Sequence, residues 1–138
     1  MTGSYKCGRI SIGDFIRLLK DSYDMEDVSF ESFRKRGWIE EEAEEMLDRR
    51  TAARLIHLFM RDMLGIEDIR NINEAYKLKD LFDCRVCAGH IAQVYLRGII
   101  DAEMIGDMYI FDSFRGVTSE EALGWIKMIK REEKNGKA

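Results

Sequence analysis

The chain has 138 residues, of which 46% are hydrophobic and 35% charged, and its formal net charge is −4. This length and balance fit one compact globular domain and exclude a disordered chain. Basic and acidic residues are interleaved, so the basic stripe of a nucleic-acid-binding protein is missing, and no apolar run reaches the ~18 residues of a membrane span.

Three segments share one design, in which an aliphatic residue is followed by a helix-capping residue and then by an amphipathic helix. The pairs are Ile10-Ser11, Leu47-Asp48 and Val117-Thr118. A side-chain oxygen at the capping position can accept a hydrogen bond from the first turn, and apolar residues then recur every three or four positions. We therefore predict three helices that form a central bundle, at about residues 11–22, 48–63 and 118–131.

Two further helices, at about residues 27–36 and 85–97, end at an Arg-Gly pair. The pairs are Arg36-Gly37 and Arg97-Gly98, each followed by two large apolar residues. Glycine just past a helix can adopt the left-handed conformation without steric cost. We predict that the chain turns back onto the core there, and that Trp38 and Trp125 are buried.

The connecting segments are more polar. Residues 40–45 are nearly all glutamate, which indicates a solvated helical face. Residues 65–80 are predicted to form a loop with one helical turn, and residues 132–138 a frayed charged tail. Within the long loop at 101–116, residues 108–111 are compatible with a short extended segment.

One stretch of the chain carries a characteristic string of residues. It runs Lys79-Asp80-Leu81, Arg85-Val86-Cys87, His90-Ile91, Arg97-Gly98-Ile99-Ile100-Asp101, Phe111 and Val117-Thr118-Ser119-Glu120-Glu121. This string resembles the S-layer homology (SLH) family, in which a His-Trp-Ala helix, a Gly-Ile-Ile turn and a Phe-x-Pro loop precede a Thr-Arg-Ala-Glu helix start. The resemblance covers a fuller repeat at 78–131, a shorter repeat at 24–62 and the last helix of a partial repeat at 10–22.

The resemblance implies a single, mostly α domain over residues 1–138, a pseudo-repeat with a central three-helix bundle. Family members bind cell-wall polysaccharide in grooves between repeats, and the Thr-Arg-Ala-Glu arginine is among their ligand contacts. That arginine corresponds to Arg49, whereas Ser119 and Ile12 stand at the two equivalent positions. The candidate ligand-binding residues are Arg49, Arg85 at the His-Trp-Ala position, and Asp107 and Tyr109 on the long loop, where an exposed aromatic ring could stack on a sugar.

The cysteines and histidines admit two interpretations. Cys7, Cys84 and Cys87 are an odd count, so a disulfide framework is not expected and a reducing compartment fits better. Cys84, Cys87 and His90 could be three zinc ligands, but a structural zinc site needs four, and we favour Cys87 as a small core residue. We assign no metal or cofactor. His57 lies in an apolar helix without a nearby nucleophile, which favours a core or helix-surface histidine over a general base.

No nucleotide-binding, metalloprotease or hydrolase motif is present, so we predict that the chain is not an enzyme. The first hypothesis is an SLH-like module that binds a cell-envelope glycan, as part of an exported protein. The alternative is an intracellular protein-interaction or regulatory protein that kept the scaffold and lost the glycan site; the missing signal peptide favours it. The sequence leaves the oligomeric state open.

Overall fold

The chain folds mostly into helices, as predicted. A computed structural model describes residues 8–137, and these residues contain five α-helices and one small antiparallel sheet. They are α1 (Ile12–Tyr23), α2 (Phe30–Lys35), α3 (Arg49–Asp62), α4 (Ala88–Leu96), α5 (Ser119–Lys137), β1 (Glu103–Ile105) and β2 (Met108–Ile110). Strand β2 confirms the extended segment in the long loop. Over residues 8–137, no helix combines the length and the apolar character needed to cross a bilayer.

Three of the helices begin at the predicted capping residues. Ser11 Oγ accepts a hydrogen bond from the amide of Asp14 at 3.1 Å, and Asp48 Oδ1 accepts one from an amide of the first turn of α3 at 2.9 Å. Thr118 forms a full capping box, because its Oγ1 accepts from the amide of Glu121 while Glu121 Oε1 accepts from the amide of Thr118. The amides of the first turn have no partner within the helix, and the capping side chains supply one. These hydrogen bonds define the residues at which α1, α3 and α5 start.

The described chain divides into two compact units. The first contains the residues up to Leu47 together with Gly116–Ile126. The second contains Asp48–Arg115 together with the residues from Lys127 onwards.

The first unit is organised by a closed ring of three backbone hydrogen bonds. The amide of Ile10 donates to the carbonyl of Val117 at 3.0 Å, the amide of Val117 to the carbonyl of Leu47 at 3.1 Å, and the amide of Leu47 to the carbonyl of Ile10 at 2.9 Å. Each residue directly precedes one capping residue, and all three side chains are buried. Because buried backbone groups need partners, the ring lets three distant segments meet without leaving these amides unpaired.

The two Arg-Gly pairs end their helices in the same way. Gly37 and Gly98 have φ values of +82° and +74°, which confirms the predicted left-handed conformation. The amide after each glycine, that of Trp38 or Ile99, donates at 3.0 Å to a carbonyl of the preceding helical segment. This turn brings the chain back so that Trp38 and Ile99 are buried, and Trp125 is buried as predicted too.

In the second unit, α3 packs against α4. Three short 3₁₀ turns precede α4, at Asn73–Lys77, Leu81–Asp83 and Arg85–Cys87; the first of them confirms the predicted helical turn between residues 65 and 80. The carbonyl of Tyr109 in β2 accepts a hydrogen bond from the amide of Lys79 at 2.9 Å, which ties the hairpin to the segment before α4.

Two predictions about charged segments are wrong. Residues 40–45 form a turn instead of a helix, because the carbonyls of Ala43 and Glu45 accept hydrogen bonds from the first amides of α1 at 2.9 Å. The predicted frayed tail, whose residue 138 lies outside the described part, is helical as far as Lys137. There, Glu132 Oε1 accepts a hydrogen bond from Arg97 Nη1 at 2.9 Å, so the end of α5 is anchored to the end of α4.

Candidate functional site

The first unit carries a groove between α1 and the first turns of α5. Its volume is about 240 Å³, and it is lined by Ile10, Asp14, Arg17, Leu18, Asp21, Ser119 and Leu123. The aliphatic side chains supply an apolar surface, of which Leu123 is 44% exposed. The charged side chains come from α1, and Ser119 adds a hydroxyl. An apolar surface with a few polar groups around it is the usual composition of a small-ligand site.

Helix α1 places three charged side chains along one side of the groove. Asp14, Arg17 and Asp21 follow at intervals of three and four residues, which puts them on the same helix face. Arg17 Nη1 donates to Asp14 Oδ1 at 3.0 Å, and both side chains are largely exposed. Such an exposed ion pair contributes little to stability, so the same groups can exchange partners with the hydroxyl groups of a ligand.

The lining offers charged, polar and apolar groups for binding a ligand. The two carboxylates can accept hydrogen bonds, the guanidinium can donate them, and the aliphatic surface can contact a ligand's carbon face.

This groove was not among the sites predicted from the sequence. The spacing of Asp14, Arg17 and Asp21 was the available signal, but the same spacing is typical of any solvated helix face. What distinguishes the groove is the approach of Ser119 and Leu123, which are far away in sequence.

Arg49 is buried and is used within the protein. Its side chain is only 3% exposed. Nε donates to the carbonyl of Phe111 at 2.8 Å, and Nη2 donates to the carbonyl of Asp101 at 2.6 Å. The guanidinium also lies 4.9 Å from the centroid of the Phe111 ring. Arg49 therefore holds the two ends of the segment that carries the β1–β2 hairpin.

Asp107 and Tyr109 lie on that hairpin. Asp107 is exposed in the turn, and Tyr109 is half-buried in β2. Lys77 Nζ sits 4.8 Å from the centroid of the Tyr109 ring, and a side-chain hydrogen bond to Tyr95 raises the pKa of Lys77. One face of the Tyr109 ring is thus already taken by a cation of the protein.

The fourth candidate, Arg85, is exposed in the last 3₁₀ turn before α4. It lines a shallow depression with Phe82, whose ring stacks on that of Tyr76 with the centroids 6.0 Å apart. Arg49 thus holds the hairpin that carries Asp107 and Tyr109, whereas Arg85 lies on a different segment, directly before α4.

Cys84 and Cys87 are joined by a disulfide bond. The expectation that these thiols are free is therefore wrong, because an odd cysteine count does not prevent two neighbours from pairing. The third cysteine, Cys7, lies outside the described residues. Cys87 is buried, as predicted. In the described part of the chain, no group of three or more His, Cys, Asp or Glu side chains is arranged to hold a metal ion.

The two histidines form a chain of hydrogen bonds with Asp68. His57 Nε2 lies 2.7 Å from Asp68 Oδ1, and His57 Nδ1 lies 2.8 Å from His90 Nδ1. Burial lowers the pKa of His90 to about 4, and electrostatic interactions with neighbouring His57 and with the guanidinium of Arg54 lower it further. His57 is buried, in agreement with the core interpretation.

A glutamine holds the loop that supplies Asp68. Gln93 Oε1 accepts from the amide of Ile69 at 2.8 Å, and Gln93 Nε2 donates to the carbonyl of the same residue at 2.9 Å. This side chain pairs with the loop as a neighbouring strand would, and it keeps Asp68 within reach of His57.

Comparison with known proteins adds no assignment to this geometry: no protein-family model, no curated protein and no solved structure matches the chain.

Proposed function

We propose that the chain is a non-catalytic binding module on an SLH-like pseudo-repeat scaffold, and that its ligand is a glycan of the cell envelope. The closed ring of Ile10, Leu47 and Val117 carries the proposal. These residues occupy one equivalent position in each repeat, directly before the capping residue. A ring that joins equivalent positions is what a pseudo-repeat would require.

The groove between α1 and α5 is the glycan site in this proposal. It lies between the last helix of the partial repeat and the last helix of the fuller repeat, as the resemblance to SLH grooves implies. Asp14 and Asp21 would accept hydrogen bonds from sugar hydroxyls, because ionised carboxylates are acceptors only. Leu123 would contact the apolar carbon face of a ring, and Arg17 would donate to ring substituents or to an acidic group.

Arg49 takes a different role in this proposal from the one that the resemblance implies. Its Nε and Nη2 donate to the protein's own carbonyls, and a buried charge that loses such partners is strongly disfavoured. Arg49 therefore supports the scaffold, and ligand contact passes to the side chains of α1.

The test is co-sedimentation with purified bacterial cell walls, together with binding to an array of isolated glycans. We expect the wild-type chain to bind, and Asp21→Asn and Arg17→Gln each to weaken binding by about tenfold, equivalent to one charge-assisted hydrogen bond. Lys20→Gln is the matched control, because Lys20 is an exposed cation on the same helix that does not line the groove.

Two results would contradict the glycan proposal. One is the absence of retention on any wall preparation or glycan. The other is retention that Asp21→Asn and Arg17→Gln leave unchanged although circular dichroism shows that both variants are folded.

A second candidate function, protein interaction, is favoured by the β1–β2 hairpin. Met104, Ile105 and Met108 are all exposed there, and methionine-rich surfaces adapt well to protein partners. A Met104→Ser/Met108→Ser variant should then lose a specific partner that both the wild-type chain and Asp21→Asn retain. If the hairpin variant retains every partner of the wild-type chain, this alternative is excluded.

A further inference from the structure

The disulfide of the second unit spans only two intervening residues, Arg85 and Val86. A cross-link stabilises a fold mainly by restricting the unfolded chain, and the restriction is smallest when the closed loop is short. This bond therefore contributes little to the stability of the fold. It also stands at the start of a helical run, since the 3₁₀ turn Arg85–Cys87 leads directly into α4.

The two sulfur-bearing side chains differ in accessibility. Cys84 is partly exposed, whereas Cys87 is only 5% exposed. An attacking thiolate must reach one sulfur along the line of the disulfide bond, and the other sulfur then leaves. Access from solvent therefore selects Cys84 as the sulfur that is attacked and Cys87 as the leaving group.

The charges around Cys84 can tune a thiolate there. The exposed guanidinium of Arg85 follows Cys84 in sequence. Neighbouring arginines stabilise a thiolate. The carboxylate of Asp83, on the other side of Cys84, acts in the opposite direction.

The surface next to Cys84 is apolar and exposed. Val86 is 85% exposed, and the stacked rings of Tyr76 and Phe82 are both exposed as well. Phe82 and Arg85 border a depression of about 360 Å³. Exposed apolar side chains near a partly exposed cysteine suit a polypeptide with apolar residues near its own cysteine, because a mixed disulfide requires that chain to lie against this surface.

We propose that Cys84–Cys87 is a redox-active disulfide that exchanges with a dithiol polypeptide, an activity that goes beyond glycan binding and does not depend on it. A partner thiolate attacks Cys84 Sγ, the Cys84–Cys87 bond breaks, and Cys87 leaves as a thiolate that takes up a proton. The second thiolate of the partner then attacks the partner's sulfur in the mixed disulfide. Cys84 is displaced as a thiolate, which also takes up a proton. Two electrons and two protons pass to this protein, and the partner becomes a disulfide.

The first test compares the two sulfurs one at a time, in a Cys7→Ser background so that no third thiol reacts. Cys87→Ser leaves Cys84, and Cys84→Ser leaves Cys87. With 5,5′-dithiobis(2-nitrobenzoate) as the probe at neutral pH, we expect Cys84 to react about tenfold faster or more than Cys87. Equal rates, or a faster Cys87, would overturn the proposal. Arg85→Gln should slow Cys84, and Asp83→Asn should accelerate it.

The second test uses the wild-type pair in the same Cys7→Ser background. Reduction with dithiothreitol should leave the far-ultraviolet circular dichroism spectrum unchanged and should reverse with oxidised glutathione. Loss of helix on reduction would identify the bond as structural and overturn the proposal.

The partner class is tested with a reduced two-cysteine peptide with apolar flanking residues, compared with the same peptide flanked by serines. The apolar peptide should reduce the protein about fivefold faster or more, equivalent to the burial of about one methylene group. Phe82→Ser/Val86→Ser should remove this difference. Equal rates for the two peptides on the wild-type protein would contradict a polypeptide partner of this kind.

Discussion

Among single residues, Arg49 shows how one long side chain can fix a segment that is distant in sequence. Its guanidinium donates to the carbonyls of Asp101 and Phe111, on either side of the hairpin. We expect Arg49→Met to lower the free energy of unfolding by about 3 kcal/mol, because the buried carbonyl of Phe111 and the partly buried carbonyl of Asp101 each lose a charged donor. Urea denaturation measures this loss.

Arg50→Met is the matched control for Arg49→Met. The side chain of Arg50 is partly exposed and pairs with Asp48 at 3.2 Å, so its loss should cost less than about 1 kcal/mol. Equal costs for the two variants would show that the buried hydrogen bonds of Arg49 do not matter.

His90 predicts a pH dependence of stability. Its pKa is about 4 in the folded chain, against an ordinary value of 6.5. Between these values the unfolded chain holds more protons, so the lowered pKa makes stability fall as the pH drops from about 6.5 towards about 4. Because the ring is partly exposed, we expect a contribution of about 1–3 kcal/mol.

The measurement is urea denaturation of the wild-type chain and of His90→Gln at about pH 7 and about pH 4. The carboxylates titrate in both proteins. The difference between their losses of unfolding free energy from about pH 7 to about pH 4 therefore gives the contribution of His90. The wild-type chain should lose more stability than the variant. An equal or larger loss in the variant would contradict the assigned direction.

At the scale of elements, replacing glycine by alanine should destabilise the protein at a glycine that ends a helix and stabilise it at a glycine inside a helix. Gly98 has a φ of +74° and no neighbour within 4 Å of an added Cβ, so Gly98→Ala should cost about 1 kcal/mol through backbone strain alone. Gly124 lies inside α5 with equally open space, and Gly124→Ala should stabilise by about 0.5–1 kcal/mol. Thermal unfolding of both variants checks the two signs, and a shared sign would refute this reasoning.

The elements also show where prediction from sequence succeeds. The starts of α1, α3 and α5 were predictable because a cap and its amide partner lie within one turn, as with Thr118 and Glu121. Residues 40–45 were mispredicted because glutamate favours helix locally, while the partners of their carbonyls are amides of α1. Arg49 and the α1 groove could not be assigned for the same reason: their partners are distant in sequence, 52 residues or more away in the case of Arg49.

At the scale of the whole molecule, the backbone ring predicts a shared response to hydrogen exchange. The amides of Ile10, Leu47 and Val117 each donate to the next member of the ring, so opening one bond releases the segment that holds another. We expect the three amides to exchange with similar opening free energies, close to that of global unfolding. Native-state exchange followed by nuclear magnetic resonance measures them, and one amide that exchanges far faster would show that the ring opens piecewise.

The ring also constrains how the chain can fold while it is being made. Ile10 and Leu47 are synthesised before Val117, which is separated from Leu47 by the whole of the second unit's segment Asp48–Arg115. Contacts between residues so far apart in sequence slow folding, and a growing chain leaves apolar surface open until they form. The first unit therefore cannot close before Val117 has left the ribosome, and the segments made earlier, α1 included, keep their apolar faces uncovered until then.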